Sequence, residues 1–141
     1  MADQRSDHGT RPGAAPDLSA AGSVHHINAG ILVEPGRGRI VVRAGDTVLA
    51  DSQRPIVVLE GRYPVRYYIP PEDVRRELLA PSWESTYCPY KGNAVHYALA
   101  SHGEGGSIAW SYPVPLSGME ALTGLIAFYQ ERVDIDVEPS D

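Results

Sequence analysis

The sequence predicts a mainly β domain of the α+β class, built from a small bent antiparallel sheet or a partly open barrel with two short helices. Short apolar segments rich in β-branched and aromatic residues recur along the chain, and glycine, proline or aspartate separates one from the next. Only two segments carry the start and stop signals of helices. The chain shows no internal repeat and no heptad pattern, so we expect neither a repeat array nor a coiled coil.

The N-terminal residues 1–38 are rich in Gly, Pro, Ala, Ser and Asp and contain few large apolar side chains. Such a segment buries too little surface to offset the entropy lost on ordering. We therefore expect a flexible tail over 1–38 that becomes apolar enough from about residue 24 to dock on the domain or on a neighbouring subunit. The adjacent His25 and His26 do not by themselves make a metal-ligand set. A single β-rich domain is expected over 39–138.

Eight segments of this domain are predicted to be strands, because they alternate or run apolar between turn signals. They are residues 39–43, 47–51, 56–60, 65–69, 93–100, 107–112, 125–129 and 133–137. The turn at residues 44–46 predicts a hairpin between the first two. Side chains alternate along a strand, so Arg66 and Tyr68 share the face opposite the core and are expected to form a pocket wall.

The two predicted helices span Pro70–Leu79 and Gly118–Thr123. Pro71 suits the first position of a helix, where its missing N–H is no loss. In the second segment, Ser117 and Glu120 have the spacing of a capping box.

Reactive side chains are densest in residues 86–97. This stretch holds the only cysteine, Cys88, the only lysine, Lys91, and an imidazole at His96. We expect the bend at Pro89 to bring the three groups to one hollow lined by sheet. A nearby cation favours the nucleophilic thiolate, and an imidazole within reach serves as a base.

Each of these groups also has a purely structural interpretation. Cys88 fits a small buried apolar residue, and His96 on an alanine-rich face fits a structural histidine. Lys91 is the only lysine, which suggests that its position needs a compact ammonium that arginine cannot supply. That ammonium could bind a carboxylate or phosphate. Alternatively, Lys91 forms a structural salt bridge with Glu60 or Glu84. Glu60 ends an apolar strand, either at the rim or inside a polar cluster.

Composition excludes several classes of function. The 141 residues fit one domain, and a hydrophobic fraction of 43% suffices for a core. With a net charge of −6 and 12 thinly spread basic residues, no nucleic acid or membrane partner is expected. The sequence lacks a spanning apolar segment and a signal peptide, and its single cysteine forms no internal disulfide, so we expect a cytoplasmic protein.

Known cofactor motifs are also missing from the sequence. It contains no phosphate-binding loop, dinucleotide fingerprint, zinc-ligand pattern or Gly-x-Ser-x-Gly elbow. We therefore predict no metal and no cofactor.

Six motifs together resemble the domain of unknown function 427 family, which also carries a nucleotidyltransferase-like heading. They are Val58-Leu59-Glu60, Tyr67-Tyr68-Ile69-Pro70, Asp73-Val74-Arg75, Ser85-Thr86-Tyr87-Cys88-Pro89-Tyr90-Lys91-Gly92, Ala109-Trp110-Ser111-Tyr112-Pro113 and Ile126-Ala127-Phe128-Tyr129 with Arg132-Val133. The resemblance covers about residues 39–137, and Cys-Pro-Tyr-Lys-Gly is its most specific part. It implies a compact fold similar to the Mss4-like β-tent group without that group's zinc cysteines, and it implies little about activity.

The resemblance also implies a pocket formed by Glu60, Tyr68, Cys88, Tyr90, Lys91 and Trp110. The chain departs from the family pattern at residues 61–63, where Ser/Thr and His-like residues are expected, and at His96, where tyrosine is expected. These departures are where a specialised activity is expected to show. Paired acids for Mg²⁺ and a phosphate-binding loop are not apparent in the sequence, so nucleotidyl transfer is not favoured.

Two functions are therefore open. The first is a small-molecule-binding domain, which in its stronger form is a cofactor-independent tailoring enzyme of secondary metabolism, such as a cyclase, isomerase or hydrolase. Glu60 or His96 would be the acid or base, Lys91 the electrostatic stabiliser or anion anchor, and Cys88 the nucleophile or a wall. The ligand-binding residues would be Arg66, Tyr68, Tyr90 and Trp110. The second is a non-catalytic binding or dimerisation module, a homodimer that exchanges its N-terminal segment.

Overall fold

The structure is a computed structural model that describes residues 26–28, 30–102 and 106–139. Its described part is mainly β, as predicted. The strands are β1 (His26–Asn28), β2 (Ile31–Pro35), β3 (Arg39–Ala44), β4 (Thr47–Ser52), β5 (Ile56–Glu60), β6 (Arg66–Ile69), β7 (Leu79–Cys88), β8 (Gly92–Leu99), β9 (Ala109–Ser111), β10 (Ile126–Phe128) and β11 (Asp134–Glu138). No helix in these residues is long and apolar enough to cross a lipid bilayer.

The strands form two antiparallel sheets. The large sheet has the order β1-β2-β5-β6-β10-β9-β8-β7, and the small sheet has the order β11-β3-β4. The sheets do not close into a barrel, so of the two predicted architectures the open sheet is the one found.

Strand β2 lies in the segment assigned from sequence to the tail. It pairs along its whole length with β5, and Ile31 and Val33 are buried in the core. These residues therefore belong to the sheet. His25 and the rest of residues 1–25 lie outside the described residues.

The first predicted helix is wrong. Within the described residues, Pro70–Leu79 forms only two short 3-10 turns, Pro71–Asp73 and Arg76–Leu78. Between them Val74 makes a β-bridge to Ala50, and the backbone N–H of Arg75 donates to the carbonyl of Leu49 at 2.8 Å. A short helix nucleates at a cost, and these hydrogen bonds to the small sheet outcompete its second turn.

The second predicted helix is wrong for a similar reason. Only Glu120–Leu122 is helical, as a single 3-10 turn. Thr123 makes a β-bridge to Tyr112, and the N–H of Gly124 donates to the Tyr112 carbonyl at 3.1 Å. These contacts tie the end of the segment to the large sheet and leave no room for an α-helix.

Side chains of the large sheet alternate between its two faces, and both faces carry apolar clusters. One face packs against the small sheet, where Ile40 and Leu49 meet Ile69 and Phe128. The opposite face carries a second cluster, which includes Tyr68, Trp110, Ala127, Met119 and Leu122.

The large sheet bends around this second face. Glu60 on β5 and Lys91 beside β8 are separated by β6, β10 and β9 in the strand order. Four strand spacings correspond to about 19 Å in a flat sheet, further than the two side chains reach. The Lys91 Nζ nevertheless lies 2.6 Å from the Glu60 Oε1. The face is therefore concave, and its hollow holds the candidate site.

Candidate functional site

A cavity of about 240 Å³ lies on the concave face of the large sheet. We call it the concave-face cavity. It is lined by seven of the eight site residues predicted from sequence: Glu60, Arg66, Tyr68, Cys88, Lys91, His96 and Trp110. Tyr90 is not among the lining residues and packs against the adjacent apolar cluster. The thiol, the ammonium and the imidazole of residues 86–97 thus belong to one hollow.

The hairpin between β7 and β8 positions the thiol and the amine. Cys88 pairs with Gly92, and the N–H of Lys91 donates to the Cys88 carbonyl at 3.2 Å. Gly92 has a φ of 116°, which side-chain-bearing residues rarely adopt, and a Cβ there would lie 3.3 Å from the Val114 carbonyl oxygen. The N–H of Leu116 donates to the Lys91 carbonyl at 2.9 Å, so the turn is held against the following segment.

Lys91 is nearly buried and pairs with Glu60. Their side chains are 7% and 16% exposed, and Nζ lies 2.6 Å from Oε1. The same Nζ lies 4.0 Å from the Cys88 Sγ. Glu84, the other candidate partner, instead accepts a hydrogen bond from the Ser107 hydroxyl. A buried ion pair loses much of its hydration, so it is weak evidence of a purely stabilising role.

His96 is buried, with 4% of its surface exposed. Its Nε2 lies 2.9 Å from the Thr86 Oγ1, and no described residue hydrogen-bonds its Nδ1. Because an unpaired buried N–H is costly, the favoured tautomer carries its proton on Nε2 and donates it to Thr86. Burial also lowers the pKa of His96 below its usual 6.5, so the imidazole is neutral near pH 7.

An aromatic wall faces these groups. The Trp110 Nε1 donates to the Tyr68 hydroxyl at 3.1 Å, and the two rings meet edge to face at 6.0 Å. The Tyr129 ring lies 4.4 Å from that of Trp110. The guanidinium of Arg66 sits 5.2 Å from the Trp110 ring centre and is held there by both carboxylate oxygens of Glu131.

The charges and phenols of the lining define its polarity. Lys91 is paired with Glu60 and Arg66 with Glu131, so the formal charges at the site balance. Burial raises the pKa of both Tyr68 and Tyr112, so both phenols stay neutral. The concave-face cavity is therefore aromatic with a few convergent polar groups, as ligand sites commonly are.

Sequence reasoning named Tyr63 only as part of the departure from the family pattern at residues 61–63 and did not single out Thr86 or Tyr129; all three line the cavity. Thr86 precedes Cys88 by two positions on β7 and pairs with Ala94, which places it on the same face as His96. This placement of Thr86 could have been predicted only if β7 had been recognised as a strand. Tyr129 was included in the predicted strand 125–129, and the observed strand ends one residue before it.

A larger cavity of about 1000 Å³ lies beside the small sheet. Its lining includes Arg43 and Arg132 and none of the predicted site residues. Arg43 is paired with Asp136 at 2.9 Å, and Arg132 lies 4.6 Å from the Tyr129 ring centre and donates to the Ser107 carbonyl. We therefore assign the candidate chemistry to the smaller, concave-face cavity.

In residues 26–28, 30–102 and 106–139, no group of three His, Cys, Asp or Glu side chains is arranged to hold a metal ion. No curated protein matches this sequence. A family model described as a domain of unknown function (DUF427) matches residues 32–139, a span that contains every residue lining the concave-face cavity. The match covers most of the chain and confirms the family resemblance inferred from the sequence motifs. The chain belongs to the DUF427 family.

Proposed function

We propose that the concave-face cavity binds a small organic molecule and catalyses a cofactor-independent reaction on it. The reaction class is a tailoring step of secondary metabolism: a cyclisation, an isomerisation or a hydrolysis. One observation carries this proposal: a single aromatic-walled cavity is lined by the Lys91–Glu60 ion pair, the thiol of Cys88 and the neutral imidazole of His96.

The cavity limits the size and charge of the ligand. A volume of about 240 Å³ falls below the range of roughly 300–1,000 Å³ that is typical for drug-sized ligands. The rings of Tyr68 and Trp110 suit a planar or apolar body. Both cations of the lining are already paired with carboxylates, which favours a neutral ligand.

The polar groups have complementary roles in proton transfer. A neutral His96 accepts a proton and Glu60 donates or accepts one, while the Lys91 ammonium stabilises negative charge that develops on a substrate oxygen. Both departures from the family pattern contribute to the lining, through Tyr63 and His96. This supports a ligand particular to this chain rather than one shared across the family.

Alkylation of Cys88 tests the proposal. Cys88 is the only cysteine, and the Lys91 Nζ lies 4.0 Å from its sulfur. A neighbouring cation generally speeds the alkylation of a thiol. We expect iodoacetamide to alkylate the native protein near neutral pH, and Lys91→Met to slow the reaction by about tenfold or more.

The matched control for that experiment is Arg75→Met, which removes an exposed cation paired with Glu77 and should leave the rate unchanged. Circular dichroism verifies that each variant is folded. A thiol that reacts only in denaturant, or at the same rate in Lys91→Met, contradicts the proposal.

A second candidate function is a dimerisation module, favoured by the exposed edge of the large sheet. β7 is the last strand in the order, and Trp83 on it is 93% exposed, with Tyr87 and Val95 also exposed nearby. An edge strand with apolar side chains readily pairs with a copy of itself around a two-fold axis.

Sedimentation velocity over a concentration series distinguishes this candidate. A dimer that dissociates in Trp83→Ser but persists in Val114→Ser, which alters a residue 81% exposed outside the strands, supports pairing through β7. A monomer at every concentration eliminates it.

A further inference from the structure

We propose that Lys91 forms a covalent imine with its ligand, so that the substrates of the concave-face cavity are small aldehydes or ketones. The inference deepens the proposed function and rests on it. It assigns the amine a bond-forming role, beyond the electrostatic one.

The first argument is the choice of residue. Lys91 is the only lysine among 12 basic residues. Other ion pairs of the described residues use arginine, as in Arg39–Asp51, Arg54–Glu72 and Arg66–Glu131. Arginine pairs with carboxylates in a bidentate manner but does not lose its proton, whereas lysine can become a neutral nucleophile.

The second argument is the position of the amine. A structural lysine normally extends its ammonium into water, but this side chain is 7% exposed and lines a cavity wide enough for a small molecule. Its Nζ lies 2.6 Å from a carboxylate oxygen of Glu60, close enough for direct proton transfer.

These contacts support a balanced sequence of steps. The Lys91 ammonium passes one proton to Glu60, and the neutral amine attacks the carbonyl carbon, forming a C–N bond as the C=O π bond breaks. Glu60 returns the proton to the resulting alkoxide and takes one from the nitrogen. It then protonates the hydroxyl, which leaves as water while the C=N bond forms. The net change is ammonium plus carbonyl to protonated imine plus water, with Glu60 again a carboxylate.

The surroundings of the amine suit this chemistry. The edges and faces of Tyr68 and Trp110 provide an apolar wall for the body of an aldehyde or ketone. A protonated imine withdraws electrons from the adjacent carbon, and the neutral His96 in the same lining is a base for a proton on that carbon. Imine formation therefore gives a route to isomerisation or cyclisation without a cofactor.

Reductive trapping tests the inference. The native protein is incubated with benzaldehyde and sodium cyanoborohydride, and the benzyl adducts are located by peptide mass spectrometry. The sequence offers only two primary amines, the N-terminus and Lys91, so the N-terminal amine is an internal reference. We expect Lys91 to be labelled at least as fast as the N-terminus, and Lys91→Arg to lose that adduct alone.

Two substitutions of carboxylates, one at the site and one on the surface, serve as the matched comparison. Glu60→Gln removes the proton acceptor, so labelling of Lys91 should slow by about tenfold or more while the N-terminal rate stays the same. Glu77→Gln removes an exposed carboxylate, 64% accessible, and should alter neither rate. If Glu60→Gln does not fold, Glu60→Asp, which moves the carboxylate back by one methylene, replaces it with the same expectation.

The outcomes separate this inference from the proposed function. If Lys91 stays unlabelled while the N-terminus reacts, or if its rate does not depend on Glu60, the imine is wrong. If Cys88 alkylation still depends on Lys91 in that case, the binding site survives. If neither reaction depends on the ion pair, both proposals fall.

Discussion

His96 combines burial with a single hydrogen bond, and this combination sets its protonation state. Burial in the sheet disfavours the imidazolium and lowers the pKa of His96; the negative charge of Glu84 opposes this shift, and the positive charge of Arg132 adds to it. Protonation would also place a hydrogen on Nδ1, which has no acceptor among the described residues. Both effects keep the ring neutral.

The lowered pKa of His96 makes stability depend on pH in a defined direction. The unfolded chain binds a proton at His96 near its usual pKa of 6.5, but the folded protein does so only at lower pH. Stability is therefore fully present above about pH 6.5 and falls as the pH drops through the lowered pKa. We expect the melting temperature of His96→Gln to fall less steeply than that of the native protein between about pH 7 and about pH 5.

Comparing the pH dependence of the two melting temperatures isolates the contribution of His96, because protonation of the carboxylates contributes equally to both proteins. A difference in melting temperature that stays constant over the pH range would mean that His96 titrates normally in the folded protein.

At the scale of elements, the β7–β8 turn determines where the thiol and the amine lie. Its geometry depends on Gly92, whose φ of 116° is coupled to a close approach of the backbone at Val114 and Leu116. A side chain at this position would strain the turn and push it away from that segment. The position of Lys91 would then change as well.

We expect Gly92→Ala to lower the free energy of unfolding by about 2 to 3 kcal/mol, since it adds a steric contact to an unfavourable φ. Gly45→Ala is the matched control, with a φ of 61° and no atom within 4 Å of the added Cβ, and should cost about 1 kcal/mol. Urea denaturation measures both. Equal losses would show that the contacts of Gly92 do not matter.

Strand β7 also shows how an element escapes recognition from sequence. It contains Pro81, which lacks a donor, and its pairing with β8 is irregular between Pro81 and Ser85. Most of its side chains are exposed, because it lies at the sheet edge. A strand with little apolar alternation gives no local signal, and only its partner β8 determines its conformation.

At the scale of the whole molecule, the Lys91–Glu60 pair links two parts of the large sheet that are distant in strand order. It spans the hollow that the bend creates, so the two charges compensate each other across the curved face. Removing one partner leaves a nearly buried charge uncompensated.

We expect Lys91→Met to destabilise the protein by about 3 to 5 kcal/mol, and the double variant Lys91→Met/Glu60→Gln by clearly less. Arg43→Met is the matched comparison, because the Arg43–Asp136 pair is 41% and 65% exposed and should contribute below about 1 kcal/mol. Denaturant unfolding of the native protein, Lys91→Met, Glu60→Gln and the double variant gives the coupling energy, and Arg43→Met is measured beside them. Similar costs for Lys91→Met and Arg43→Met would show that the buried pair does not brace the sheet.

Much of the fold could be predicted from local sequence patterns. The strand at residues 56–60 was predicted with its observed bounds, and those at 39–43 and 47–51 lacked one residue each. The alternation also correctly placed Arg66 and Tyr68 on the same face of β6, because neighbouring side chains in a strand point to opposite sides. The helices failed because their signals were local, whereas the hydrogen bonds that replaced them came from other strands.

The sequence by itself determined the β class, the faces of the strands and the family, because alternation, turn residues and motif identity are all properties of neighbouring positions. The tertiary structure alone decided that Glu60, Lys91 and His96 share one hollow. Their meeting depends on the bend of the large sheet, which brings β5 to the β7–β8 turn across three intervening strands. Curvature arises from packing on both faces of a sheet, and no single strand encodes it.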